Sequence, residues 1–177
     1  MLAAPFPDRR FMQVCWVVPD VHGAMAAWTR CAGVGPFFLF ESVTWDSPQY
    51  RGRPWESVHI TAAIAQAGEV QIELVSQDEE RPSMFRDVVA AGRSGLHHMA
   101  LYCTDYDASV QAYTGAGAQV AFAGLMMGSR VCWVDTTPTL GFMVEVIQAN
   151  PIADSVFGRI RAAAEHWDGK NPVRTLS

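Results

Sequence analysis

Gln13-Val-Cys-Trp-Val-Val-Pro-Asp20 and His98-Met-Ala-Leu-Tyr-Cys-Thr-Asp105 stand 85 positions apart and read as one pattern written twice. In each, an apolar strand runs into an Asp placed to cap a helix N-terminus. The same offset of 85 pairs Val21 with Tyr106, Met25 with Val110, Trp28 with Tyr113 and Thr29 with Thr114. Both helices thus carry apolar residues at matching spacing, and each ends near glycine, at Gly33 and at Gly115 or Gly117. Strand, cap and stripe agree together, which marks an internal repeat.

Working outward, each helix is followed by three strands. The pattern predicts them at about 37–44, 57–65 and 69–76 in the first half, with Gln66-Ala-Gly68 as a hairpin turn. In the second half they fall at about 118–123, 129–135 and 142–148. Pro and Gly in Ser47-Pro-Gln-Tyr-Arg-Gly-Arg-Pro54 predict a long loop without strand. Residues 78–95 link the halves, with a short helix expected at 83–91. Ile152, Val156, Ile160 and Ala163 recur at three-to-four spacing from Pro151 to His166, an amphipathic C-terminal helix. The expected fold is α+β: two βαβββ modules, about 10–77 and 95–148, form a cupped mixed sheet. With a C-terminal helix at about 151–166 they make one domain across residues 1–177.

Composition narrows the function. Half of the 177 residues are apolar and the net charge is −5, so a core is easily built and a nucleic-acid-binding basic face is not. No apolar run reaches the roughly 18 residues of a membrane span. The start, Met1-Leu-Ala-Ala-Pro-Phe-Pro-Asp-Arg-Arg10, has no basic end followed by an apolar stretch, so no signal peptide is expected and the location is read as cytoplasmic. Cys15, Cys31, Cys103 and Cys132 are scattered without a CxxC pair, which speaks against a disulfide framework or zinc-cysteine site. Cys15, Cys103 and Cys132 fall in apolar strand runs and read as buried free thiols.

Period-two alternation puts Gln13, Cys15 and Val17 on one face of the first strand, and His98, Ala100 and Tyr102 on its repeat. The last strand of each module holds one acid among apolar residues, Ile72-Glu73-Leu74 and Val144-Glu145-Val146. A carboxylate inside a buried run is costly unless paired or bound to metal.

These residues resemble the vicinal oxygen chelate superfamily, which spans glyoxalase I, methylmalonyl-CoA epimerase, extradiol dioxygenases and bleomycin-resistance proteins. The resemblance covers about residues 10–150 and rests on the doubled βαβββ order, Gly95-Leu-His-His-Met-Ala100 and a Glu on each last strand. It implies one divalent metal ion held by Gln13, Glu73, His98 and Glu145, with His98 chosen over His97 because it matches Gln13 in the repeat. Gln-Glu-His-Glu is similar to the zinc set of the eukaryotic glyoxalase I type. The linker Asp78-Glu-Glu-Arg-Pro-Ser-Met-Phe-Arg86 and the ending Gly-Phe-Met-Val-Glu145-Val-Ile-Gln look more like methylmalonyl-CoA epimerase. Val17 and Ser94 stand where glyoxalase I has basic residues for glutathione.

One imidazole, two carboxylates and an amide oxygen suit Zn²⁺, Ni²⁺, Co²⁺ or Mn²⁺ as a Lewis acid. The implied activity is that of a lyase, isomerase or epimerase that removes a proton next to a carbonyl of a small or CoA-linked substrate. Glu145 or Glu73 is the candidate base, and Glu56 a candidate second base. The competing reading is a non-enzymatic small-molecule binding protein. His59 and His97 are taken as structural, Arg51 and Arg53 as solvated loop charges, and Trp16, Trp28, Phe37 and Phe38 as core. Val17, Ala100, Tyr102, Met143 and Ile147 are the expected apolar lining. Edge strands and the stripe of the last helix predict a homodimer.

Overall fold

Both caps form as the repeat requires. Strand β1 (Phe11–Val17) leads into helix α1 (Val21–Ala32), where the Asp20 side chain accepts from the Gly23 N–H and Gly33 ends the helix in the left-handed conformation at φ 66°. In the second module β7 (Gly95–Cys103) leads into α2 (Tyr106–Gly115), with Asp105 accepting from the Ala108 N–H. The first module continues through β2 (Phe37–Phe40), β3 (Asp46–Tyr50), β4 (Arg53–Pro54), β5 (Ile60–Ala67) and β6 (Val70–Gln77). The second continues through β8 (Gln119–Met126), β9 (Ser129–Asp135), the single turn α3 (Thr137–Leu140) and β10 (Met143–Gln148). Helix α4 (Pro151–Ala164) and β11 (Val173–Arg174) complete the chain. This computed structural model describes residues 10–56 and 58–176, so Met1–Arg9, which the leader reading needs, lies outside them.

The strands form one mixed sheet in the order β11-β2-β5-β6-β1-β7-β10-β9-β8-β3-β4. β1 pairs with β6 and β7 with β10 in parallel, and the two modules join where β1 meets β7 antiparallel. The four strands bearing Gln13, Glu73, His98 and Glu145 are thus consecutive at the centre of the sheet, within one chain. On the convex face Val21 and Met25 of α1 pack on Phe37, Ala63 and Leu74, and Tyr106, Val110 and Tyr113 of α2 pack on Leu101, Val134 and Val144. The cup face buries Cys15, Val17, Val75, Ala100, Trp133 and Met143. No helix among the described residues is long and apolar enough to cross a membrane.

Three expectations are corrected. The Ser47–Pro54 loop contains β3 and β4, and β3 pairs with β8. Pro48 is tolerated because the β3–β8 register breaks between Asp46 and Gln49, so no ladder bond is asked of it. The segment 83–91 makes turns instead of a helix, with only the Ser83–Asp87 and Phe85–Val89 four-residue bonds formed; Met84 and Phe85 are pulled consecutively into the core. In α4 Ala153 and Ile160 are buried and Val156, Phe157 and Ala163 partly so, while Ile152 is 58% exposed. The helix packs on Phe38 and Ile64 of its own chain, and β3 covers the β8 edge, while β11 and β4 remain the edges of the sheet.

Candidate functional site

A β-bulge builds the site. Along β7 the partners of Cys15 and Trp16 are His98 and Leu96, so His97 is the extra residue in the strand. A bulge lets two neighbouring side chains lean together where alternation would separate them. His97 and His98 accordingly meet, with their Nδ1 atoms 2.8 Å apart and both rings fully buried.

Each ring is held on its far side. His97 Nε2 lies 2.9 Å from the Met84 carbonyl, which can only accept, so Nε2 carries a hydrogen. Burial, and next the charge of His98, push the His97 pKa down to about 3, so the ring is neutral and its Nδ1 is bare. His98 Nδ1 also takes a second contact, from Trp133. The Trp133 indole N–H donates to His98 Nδ1 at 3.1 Å, with its ring packed edge-on at 80°. The far edge of His98 is held, and Nε2 is left to face the cup.

There it meets both acids. His98 Nε2 is 3.2 Å from Glu73 Oε2 and 3.1 Å from Glu145 Oε2, yet it is buried without a hydrogen bond to either. Burial disfavours the imidazolium, but Glu145 and Glu73 outweigh it and lift His98 to about 9. Glu145, itself 3% exposed, has its pKa raised by burial first, against the pull of His98 and with a push from Glu73. Gln13 joins at 2% exposure, its Nε2 reaching Gln71 Oε1 at 3.4 Å, which leaves its own carbonyl oxygen available. One orphaned buried nitrogen among two carboxylates and an amide is a donor set that fits a divalent cation, with His97 in the supporting role that ligating histidines usually have.

Above these residues lies a cavity of about 260 Å³, into which Gln13, Glu73 and Glu145 open. Its walls are Phe40, Trp45, Ile60, Phe85, Trp133 and Ile147, with Val156 and Phe157 of α4 closing one side. Among the described residues no Lys, Arg or His lines it. Of the apolar lining read from the sequence only Ile147 is there; Val17, Ala100 and Met143 are packed beneath the cup surface, and Tyr102 bonds Asp154 at 2.8 Å.

The structure brings Gln13, Glu73, His98 and Glu145 together and leaves Glu56 out. Glu56 is on the surface, 3.4 Å from Arg81, and does not line the cavity. His59 is half exposed and bonds Asp78, while Arg53 is exposed. Arg51 is no free loop charge, since it bridges Asp87 at 2.7 Å and Asp135 at 2.8 Å. Trp16 and Trp28 stack at 5.0 Å beside Phe37, whereas Phe38 faces α4. Sequence reasoning missed the parts played by His97, whose face depends on the bulge, and by Cys15, which sits beside Glu73 and His98.

Comparison with known proteins agrees with this fold. Residues 12–133 match the family described as Glyoxalase/Bleomycin resistance protein/Dioxygenase superfamily. No curated protein matches in sequence. Among solved structures, methylmalonyl-CoA epimerase from Mycobacterium tuberculosis is similar at TM-score 0.55 and 16% identity, covering 88% of this chain and 97% of that one. A hypothetical protein from Bacillus halodurans C-125 gives TM-score 0.57 at 16% identity, covering 80% and 94%. Methylmalonyl-CoA epimerase in complex with methylmalonyl-CoA and an ammonium ion gives 0.52 at 16%, covering 81% and 96%. At such identity the likeness is one of fold.

Proposed function

Because the chain belongs to the glyoxalase/bleomycin-resistance/dioxygenase superfamily, we propose that it is a metal-dependent lyase, isomerase or epimerase that moves a proton next to a carbonyl. The observation that carries this is the orphaned His98 Nε2, 3.1 and 3.2 Å from two buried carboxylates at the base of an apolar cavity. Glu73, His98, Glu145 and Gln13 would hold a divalent ion such as Zn²⁺, Ni²⁺, Co²⁺ or Mn²⁺. When bound, that ion supplies Lewis acidity beside the reacting carbonyl.

The chain's own residues do the rest. Glu145 is the base: it opens onto the cavity, and its raised pKa brings it nearer to neutral pH, where a carboxylate can both take and return a proton. Gln13 offers an amide that orients substrate oxygen. The apolar walls exclude water and grip a hydrophobic body. With no cation in the lining and α4 over one side, the cavity suits a compact, uncharged substrate better than one carrying CoA phosphates.

Two measurements test this. Elemental analysis of protein purified without chelator should find close to one divalent ion per chain. Solvent deuterium should then enter the α-position of small apolar 2-oxo or 2-hydroxy carbonyl compounds, in preference to CoA thioesters, and stop on chelation. Protein that takes up no metal but still binds such compounds would be a small-molecule binding protein of the same fold, which the apolar cavity also suits.

A further inference from the structure

Cys15 lies on the floor of the cup between two of the proposed ligands. Its partner in β6 is Glu73 and its partner in β7 is His98, so strand register sets the three side by side. Cys15 Sγ, a Glu73 oxygen and a His98 ring nitrogen lie within 4.8 Å of one another, and Cys15 and His98 are fully buried. Gln13 stands one pleat further along, its partners being Gln71 and Ala100, and Glu145 also pairs with Ala100. The floor therefore has two levels, Glu73-Cys15-His98 and Gln13-Glu145. The His98 Nε2 is 0% exposed and makes no hydrogen bond, although it lies 3.2 Å from Glu73 Oε2 and 3.1 Å from Glu145 Oε2, a second observation that this floor receives a ligand.

We propose that Cys15, Glu73 and His98 are the inner ligand set of the metal centre, with Glu145 and Gln13 beside it for proton transfer and substrate hydrogen bonding. This rests on the metal-dependent reading above and deepens it. Charge permits it: a thiolate and one carboxylate balance a divalent ion. The thiol proton passes to solvent when the ion binds, as in other cysteine sites. Three protein ligands with one open position is the usual catalytic arrangement for zinc. Sulfur also sets preference, favouring Zn²⁺ or Co²⁺ over Mn²⁺ and Mg²⁺. Glu145 is then free to exchange protons without leaving the ion.

Cobalt reports sulfur directly. Chelator-treated protein titrated with Co²⁺ should develop visible d–d bands together with a near-ultraviolet sulfur-to-cobalt charge-transfer band. Cys15→Ser should keep the d–d bands and lose the charge-transfer band, and Cys103→Ser should keep both. X-ray absorption of the zinc-loaded wild type should show one sulfur neighbour at about 2.3 Å, which decides the point even if Cys15→Ser fails to fold. Bound cobalt and zinc with only nitrogen and oxygen neighbours would overturn the Cys15 assignment and leave the four-residue site standing. Failure of the wild type to bind either metal would overturn both.

Discussion

His98 shows how much of a site can rest on an atom that never touches substrate. Its Nε2 faces the two carboxylates because its other nitrogen is held by His97, itself fixed through Met84 O, and by the Trp133 indole N–H. His97→Ala should weaken zinc affinity roughly 10–100-fold while the protein stays folded, measured by competition with a chromophoric chelator. Unchanged affinity would remove His97 from the metal centre. Glu145→Gln keeps shape and oxygen but not basicity, so metal should remain while α-proton exchange falls about 10²–10⁴-fold. Equal exchange by both proteins would move the base to Glu73. Gln13, Glu73, His98 and Glu145 were legible because alternation and the repeat both point to them. His97 was not, since a bulge breaks the period-two rule at that step, and Cys15 was not, since a thiol among apolar residues reads as core until its cross-strand partners are known.

At the scale of elements, the repeat made the strands and caps readable, because an Asp cap and an apolar stripe are local signals. The pieces that escaped depend on distant partners. β3 exists because β8 offers it an edge, and no feature of Ser47–Pro54 announces that pairing. Helix α4 was legible in extent but not in its docking. Its cap explains the docking: Asn150 Oδ1 accepts from the Ile152 and Ala153 N–H groups, while Nδ2 donates to Ser129 Oγ at 2.8 Å and Met127 O at 3.1 Å. One residue thereby starts the helix and ties it to the β8–β9 turn, which brings Val156 and Phe157 to the cavity. Asn150→Ala should cost about 1–2 kcal/mol, read as a lower urea midpoint at unchanged slope. It should also loosen preference for compact substrates. A loss of stability with no change in substrate preference would make the cap purely structural.

Across the whole molecule, Arg51 is the tie between parts that the sequence separates. From the turn between β3 and β4 it reaches Asp87 in the inter-module segment and Asp135 at the end of β9, and Tyr50 donates to the same Asp87 at 2.6 Å. Asp135 feels opposing influences. Burial would raise its pKa, but hydrogen bonds from Thr137 and Arg51 outweigh that and hold it below the ordinary aspartate range. The folded state therefore releases the Asp135 proton more readily than the unfolded state, whose value is about 3.9. The resulting stability is complete above that unfolded value and is lost as pH falls through the lower folded one. Arg51→Ala should destabilise the protein at neutral pH, and the gap to wild type should narrow on acidification below about pH 4. Urea unfolding of both proteins across the acid range measures this. A gap constant with pH would mean that Arg51 contributes only packing between the β3–β4 hairpin and the second module, and that the pairing with Asp135 adds nothing to the join.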